Sequence, residues 1–150
     1  MKGVQGGGEA ESVLVSAVVR VRGPAGAIGG AGFLVAPELV LTCAHVVSDA
    51  LERDRAETVE PGTEVRLDLP LAWSAGAGDR DGAPWSAEVQ HWVPIRPDQT
   101  GDIAVLRLRQ PIPGALPLPL ADPRDEVWDH RARAVGFTRE APDGIWQSGT

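Results

Sequence analysis

Short runs in which apolar and polar residues alternate, each cut off by Gly or Pro after about ten residues, steer this chain toward β-sheet. In residues 12–22, Val13, Val15, Ala17, Val19 and Val21 fall on one side and Ser12, Ser16, Arg20 and Arg22 on the other. That is the pattern of a half-buried strand, ended by Gly23-Pro24. The next strands are expected at 27–35 and 38–42, joined at Ala36-Pro37. Gly29, Gly30 and Gly32 suit a bent or bulged strand that other backbone approaches closely. They make no phosphate loop, because no helix with a following Lys-Ser/Thr comes after them. Residues 63–69 set Val65, Leu67 and Leu69 opposite Glu64, Arg66 and Asp68, and residues 85–93 align Trp85, Ala87, Val89, His91 and Val93 on one face. Residues 103–108 start apolar on both faces and end with outward Arg107 and Arg109. A last pair of strands, 131–137 and 144–147, turns at Pro142-Asp143-Gly144.

The intervening segments read as connections. Residues 44–47 can form one helical turn, followed by a charged stretch to Glu60. Residues 71–83 form an exposed Gly/Ala/Asp loop, and 110–123 a Pro-rich extended connector. The Gly-rich residues 1–11 read as a flexible tail. Six or more short strands, almost no helical period and no internal repeat predict an antiparallel barrel or sandwich.

Composition narrows the partners. A net charge of −7, carried without any Lys/Arg block, argues against nucleic acid and anionic membrane surfaces. Cys43 is the sole cysteine, so no internal disulfide can form. No apolar run resembles a signal peptide or approaches the roughly 20 residues of a membrane span. A reducing, cytoplasmic location is therefore expected. No cofactor or metal is expected either, since His45, His91 and His130 are not spaced as a ligand set.

Two segments carry chemistry. Leu41-Thr42-Cys43-Ala44-His45 puts a histidine just after a strand, and Asp102-Ile103-Ala104-Val105-Leu106 puts an aspartate just before one. A general base for acyl transfer must be a neutral imidazole held in one tautomer, and a carboxylate on its far nitrogen does that. The 57 residues between His45 and Asp102 leave room for several strands. His91 reads as a core or interface histidine and His130 as exposed. Cys43 reads as a small structural residue. Trp73, Trp85, Trp92, Trp128 and Trp146 read as packing anchors.

These segments resemble those of the trypsin/chymotrypsin-like serine proteases. Leu41-Thr42-Cys43-Ala44-His45 is similar to the histidine motif, Gly32-Phe33-Leu34-Val35 to the strand leading into it, and 102–108 to the family's Asp-Ile-Ala-Leu-Leu-x-Leu. Ala134-Val135-Gly136-Phe137 resembles the segment that opens the second barrel. The match in order and spacing runs from about Ser12 to Gln147. The resemblance implies an all-β fold: the first six-stranded antiparallel barrel of a double-barrel protease (12–123), then the opening hairpin of the second (124–150). It implies His45 as general base and Asp102 as the residue that orients it, acting on a polypeptide substrate.

The resemblance also places the nucleophilic serine, the oxyanion hole and the specificity pocket in a second barrel, supplied in cis or by a complementing chain. Alone, these residues are expected to be inactive and to expose the apolar face meant for that barrel. Ser148-Gly149 resembles part of the nucleophile motif but follows Asp102 by only 46 residues, too few for the rest of a second barrel. The residue after His45 is Val46 rather than the cysteine common there, as in intracellular bacterial members. A protein-interaction module derived from a truncated protease fold is the alternative.

Overall fold

The structure, a computed structural model, describes residues 7–74, 84–120, 122 and 132–149. Six strands close into an antiparallel barrel: β1 (Val18–Arg22), β2 (Ile28–Ala36), β3 (Leu39–Thr42), β4 (Glu64–Asp68), β5 (Trp85–Val93) and β6 (Ile103–Leu108). Around the barrel the order is β1-β2-β3-β6-β5-β4. A separate hairpin, β7 (Ala132–Gly136) with β8 (Ile145–Gly149), pairs Val135 with Trp146. This is the expected first barrel plus hairpin.

Alternation explains the barrel's filling. Val19 and Val21 of β1, Leu34 of β2, Val40 of β3, Val65 and Leu67 of β4 and Leu106 of β6 are all fully buried. Each such side chain contributes about 1.5–3 kcal/mol by leaving water. Ala87, Ala104, Gly30 and Gly32 take the tighter inward positions. The outward residues of β2 and β3, Ala31, Phe33 and Leu41, are also apolar, and with Leu14, Ile103 and Val135 they line a groove on the barrel wall.

Three stretches differ from the sequence-based expectation. Residues 12–17 are not strand: α1 (Gly7–Ala17) takes them, together with the end of the supposed tail, and β1 begins only at Val18. An unbroken apolar stretch at Val13–Val15 fits a helix as well as a strand, and Ala17, fully buried, packs on the barrel core. Residues 71–74 are not loop, because α3 (Pro70–Ser74) buries Leu71 and Ala72. In β5, a register shift between Val89 and His91 turns the chain over. His91, expected in a core or interface, is therefore exposed, and Trp92 turns toward the core cluster instead. His130, Trp128, the 123/124 boundary and the side chain of Trp73 lie outside the described residues.

A second helix, α2 (Ala44–Ala50), spans the wall beside β2, with Ala44, Val46, Val47 and Ala50 buried. Its approach depends on glycine. Gly29 is the extra residue of the bulge between the Val21–Gly30 and Arg22–Ile28 pairs, and a Cβ there would meet the Val46 carbonyl oxygen at 2.0 Å.

The hairpin is fastened to the barrel by charge as well as by packing. Arg20, although it points away from the barrel interior, is buried and forks onto Asp68 of β4 with bonds of 2.8 and 2.7 Å. Its other nitrogen donates to the carbonyl of Pro142 in the hairpin turn. Val18, Leu71 and Phe137 close a small second core beneath the hairpin. No helix among the described residues is long and apolar enough to cross a membrane.

Candidate active site

β3 ends at Thr42, whose hydroxyl donates to the Ala31 carbonyl at 2.8 Å and ties the strand end to β2. Cys43 then adopts an extended conformation, φ −84° and ψ 148°, and caps α2 without a side-chain bond. His45 follows in the first turn of α2. The carbonyl of Ala44 accepts from the Trp92 indole N–H at 3.3 Å, so the overturned end of β5 braces the turn that carries His45. Sequence reasoning missed this contact, although a half-buried tryptophan nearly always finds a partner for its N–H.

Asp102 arrives from the other side. It ends a turn in which Gly101 has φ +85° and Asp102 itself φ +59°. A Cβ on Gly101 would stand 2.3 Å from the Pro94 carbonyl oxygen, so only glycine fits. Aspartate tolerates the left-handed region better than most residues. The reversal starts β6 with the carboxylate facing α2.

The two residues meet at two points. Oδ1 of Asp102 accepts the backbone N–H of His45 at 2.9 Å, and Oδ2 lies 2.7 Å from His45 Nδ1. The second distance is that of a charge-assisted bond, with Nδ1–H donating. The side chains are 33% and 20% exposed, so water reaches the imidazole while the carboxylate is mostly enclosed. Burial pushes the Asp102 carboxyl up, but the His45 backbone and ring bonds, the His45 charge and the Ala44 backbone bond outweigh it and hold the group below the usual range. Asp102 therefore stays ionised at neutral pH. Fixing the proton on Nδ1 leaves Nε2 with the lone pair, the state in which an imidazole accepts a proton.

Cys43 is exposed, and burial of its sulfur followed by the Asp102 charge pushes its thiol up, the opposite of an activated nucleophile. Among the described residues no serine hydroxyl hydrogen-bonds His45. Ser16 and Ser48 donate to backbone carbonyls, and Ser148 is exposed in β8 opposite Arg133. Trp85 and Trp92 pack against the barrel core, and Trp146 sits under the Arg133 guanidinium at 4.5 Å.

No curated protein matches the chain. Among solved structures, the crystal structure of the active form of the Rv3671c protease from M. tuberculosis is similar, with 22% sequence identity and a TM-score of 0.47. The alignment covers 93% of this chain and 48% of that one, so the chain spans about half of that protease. Residues 30–150 match the family model described as trypsin-like peptidase domain. With the match extending from β2 to the end of the chain, the protein belongs to the trypsin-like peptidase family.

Proposed function

We propose that this chain carries the general base and its orienting carboxylate for a serine-type endopeptidase: His45 and Asp102. The observation that carries the reading is the double attachment of Asp102, to the Nδ1 of His45 at 2.7 Å and to its backbone N–H at 2.9 Å. One bond sets the tautomer and the other sets the position of the residue, and general base catalysis needs both. In the reaction, His45 Nε2 takes the hydroxyl proton of a serine as its Oγ attacks the scissile carbonyl. It then passes that proton to the leaving amine, and repeats the cycle with water to release the acyl group. Asp102 remains ionised and stabilises the imidazolium.

The serine and the oxyanion donors come from outside these 150 residues, in cis or from a complementing chain. The apolar groove formed by Phe33, Leu41 and Ile103 beside the Asp102 turn, flanked by Val135 of the hairpin, is suited to receive the rest of that second barrel. Lacking the nucleophile and the oxyanion hole, the segment by itself hydrolyses no peptide bond.

The test is hydrolysis of a fluorogenic protein substrate by the native product, captured from its source cells with an antibody to this segment, beside its His45→Ala variant. Hydrolysis that disappears in the variant supports the reading. Hydrolysis that persists removes His45 from the mechanism, and none in either form leaves the protein-interaction role.

A further inference from the structure

Cys43 has no part in the peptidase chemistry above, yet it stands inside the site. Its Sγ, a ring nitrogen of His45 and a carboxylate oxygen of Asp102 all lie within 4.8 Å of one another. They come from three separate positions: the residue before α2, the first turn of α2 and the turn before β6. A zinc ion holds sulfur at about 2.3 Å and nitrogen or oxygen at about 2.0–2.2 Å, so its donors sit roughly 3.3–3.8 Å apart. The 2.7 Å edge between His45 Nδ1 and Asp102 Oδ2 opens by about 0.7 Å as their hydrogen bond gives way, and side-chain rotations of about 1 Å bring the sulfur to that spacing.

We propose that Cys43, His45 and Asp102 form a three-ligand site for a thiophilic divalent cation of the zinc class. One thiolate, one imidazole and one carboxylate is a donor set that selects zinc over calcium or magnesium, whose preferred ligands are all oxygen. A fourth position stays open to water. The exposed Cys43 and the one-third-exposed imidazole give the ion a way in. The bond from the His45 backbone N–H holds Oδ1 while Oδ2 turns toward the ion. On binding, the Cys43 thiol gives its proton to solvent. The ion takes a lone pair of His45. Nδ1, the nitrogen that faces Asp102, coordinates the ion and the ring proton moves to Nε2, so His45 can no longer accept a proton there. The site is thus a reversible brake on the proposed general base. The braking rests on the peptidase reading, whereas the binding does not.

The test is a cobalt titration of the 150-residue chain in a phosphine-reduced buffer, followed by competition with zinc. The expected result is a sulfur-to-cobalt charge-transfer band in the near ultraviolet that saturates at one equivalent. Cys43→Ser should remove the band. His45→Ala and Asp102→Asn should each weaken both metals by more than about 100-fold, beyond the loss of an outer partner. His91→Gln should change nothing. Circular dichroism reports whether each variant folds, and His45→Gln replaces the alanine variant if that one does not. No band, or a band that keeps wild-type affinity in the folded His45 and Asp102 variants, overturns the site. Because the assay reads no proteolysis, its failure is separate from failure of the peptidase reading.

Discussion

Replacing Gly29 by alanine tests how the fold positions His45. The added Cβ would stand 2.0 Å from the Val46 carbonyl oxygen and 2.8 Å from the Ala50 Cβ, both on α2. Real Cβ atoms essentially never come within 3.0 Å of another group, so the helix must retreat from β2 by at least about 1 Å. No flexible side chain can yield here, since the nearest atom is backbone. Overpacking costs about 1–3 kcal/mol, and a backbone collision belongs at the upper end, about 3 kcal/mol. For a chain of this size that lowers the melting temperature by roughly 6–12 °C. The control is Gly136→Ala in β7, where a Cβ meets nothing within 4 Å and the change should stay within about 0.5 kcal/mol. Thermal unfolding followed by circular dichroism reads both. His45 precedes Val46 and moves with it, and a 1 Å misplacement of a catalytic group can cost about 100-fold in rate. If Gly29→Ala melts no earlier than Gly136→Ala, the close packing of α2 on the β2 bulge is wrong.

Other outcomes follow from the same geometry. The folded-state pKa of Asp102 is depressed, so its contribution to stability is fully present above the unfolded value of about 3.9 and is lost as pH falls through the folded value. Urea midpoints should therefore fall less steeply below about pH 4 in Asp102→Asn than in the native chain; parallel curves would contradict the bonding. Asp68 bonds both Arg20 and Arg22, so Asp68→Ala removes the two-pronged carboxylate from the buried Arg20 guanidinium and should cost about 3 kcal/mol by urea denaturation, with a smaller loss for the part-exposed Arg22→Met. In the active protein Asp102→Asn should lower kcat about 10,000-fold, a magnitude taken over from the family's best-studied case, by placing the wrong tautomer at His45.

Sequence pattern and structure part company for identifiable reasons. His45 and Asp102 are legible because each sits where an apolar run meets a turn, and a part-buried carboxylate needs such a partner. Strands β2 to β6 are legible because one face packs inward and the period of two survives. Residues 12–17 are not, since Val13, Leu14 and Val15 satisfy both periods and the choice of helix is made by packing on the barrel. One extra residue at Gln90 turns His91 outward and Trp92 inward, a displacement no alternation pattern contains. The helix at 70–74 did leave a signal in Pro70, since proline favours the first helical position. The grouping of Cys43 with His45 and Asp102 is tertiary, created by the left-handed turn at Gly101 and Asp102.

The most direct test of the central claim is labelling of the native protein with a fluorophosphonate, which reacts only with a serine activated by a working base. The account predicts label on a serine outside these 150 residues, on a product heavier than 15.8 kDa, and loss of that label in His45→Ala. Equal labelling of both forms, or label on Ser148, would contradict it.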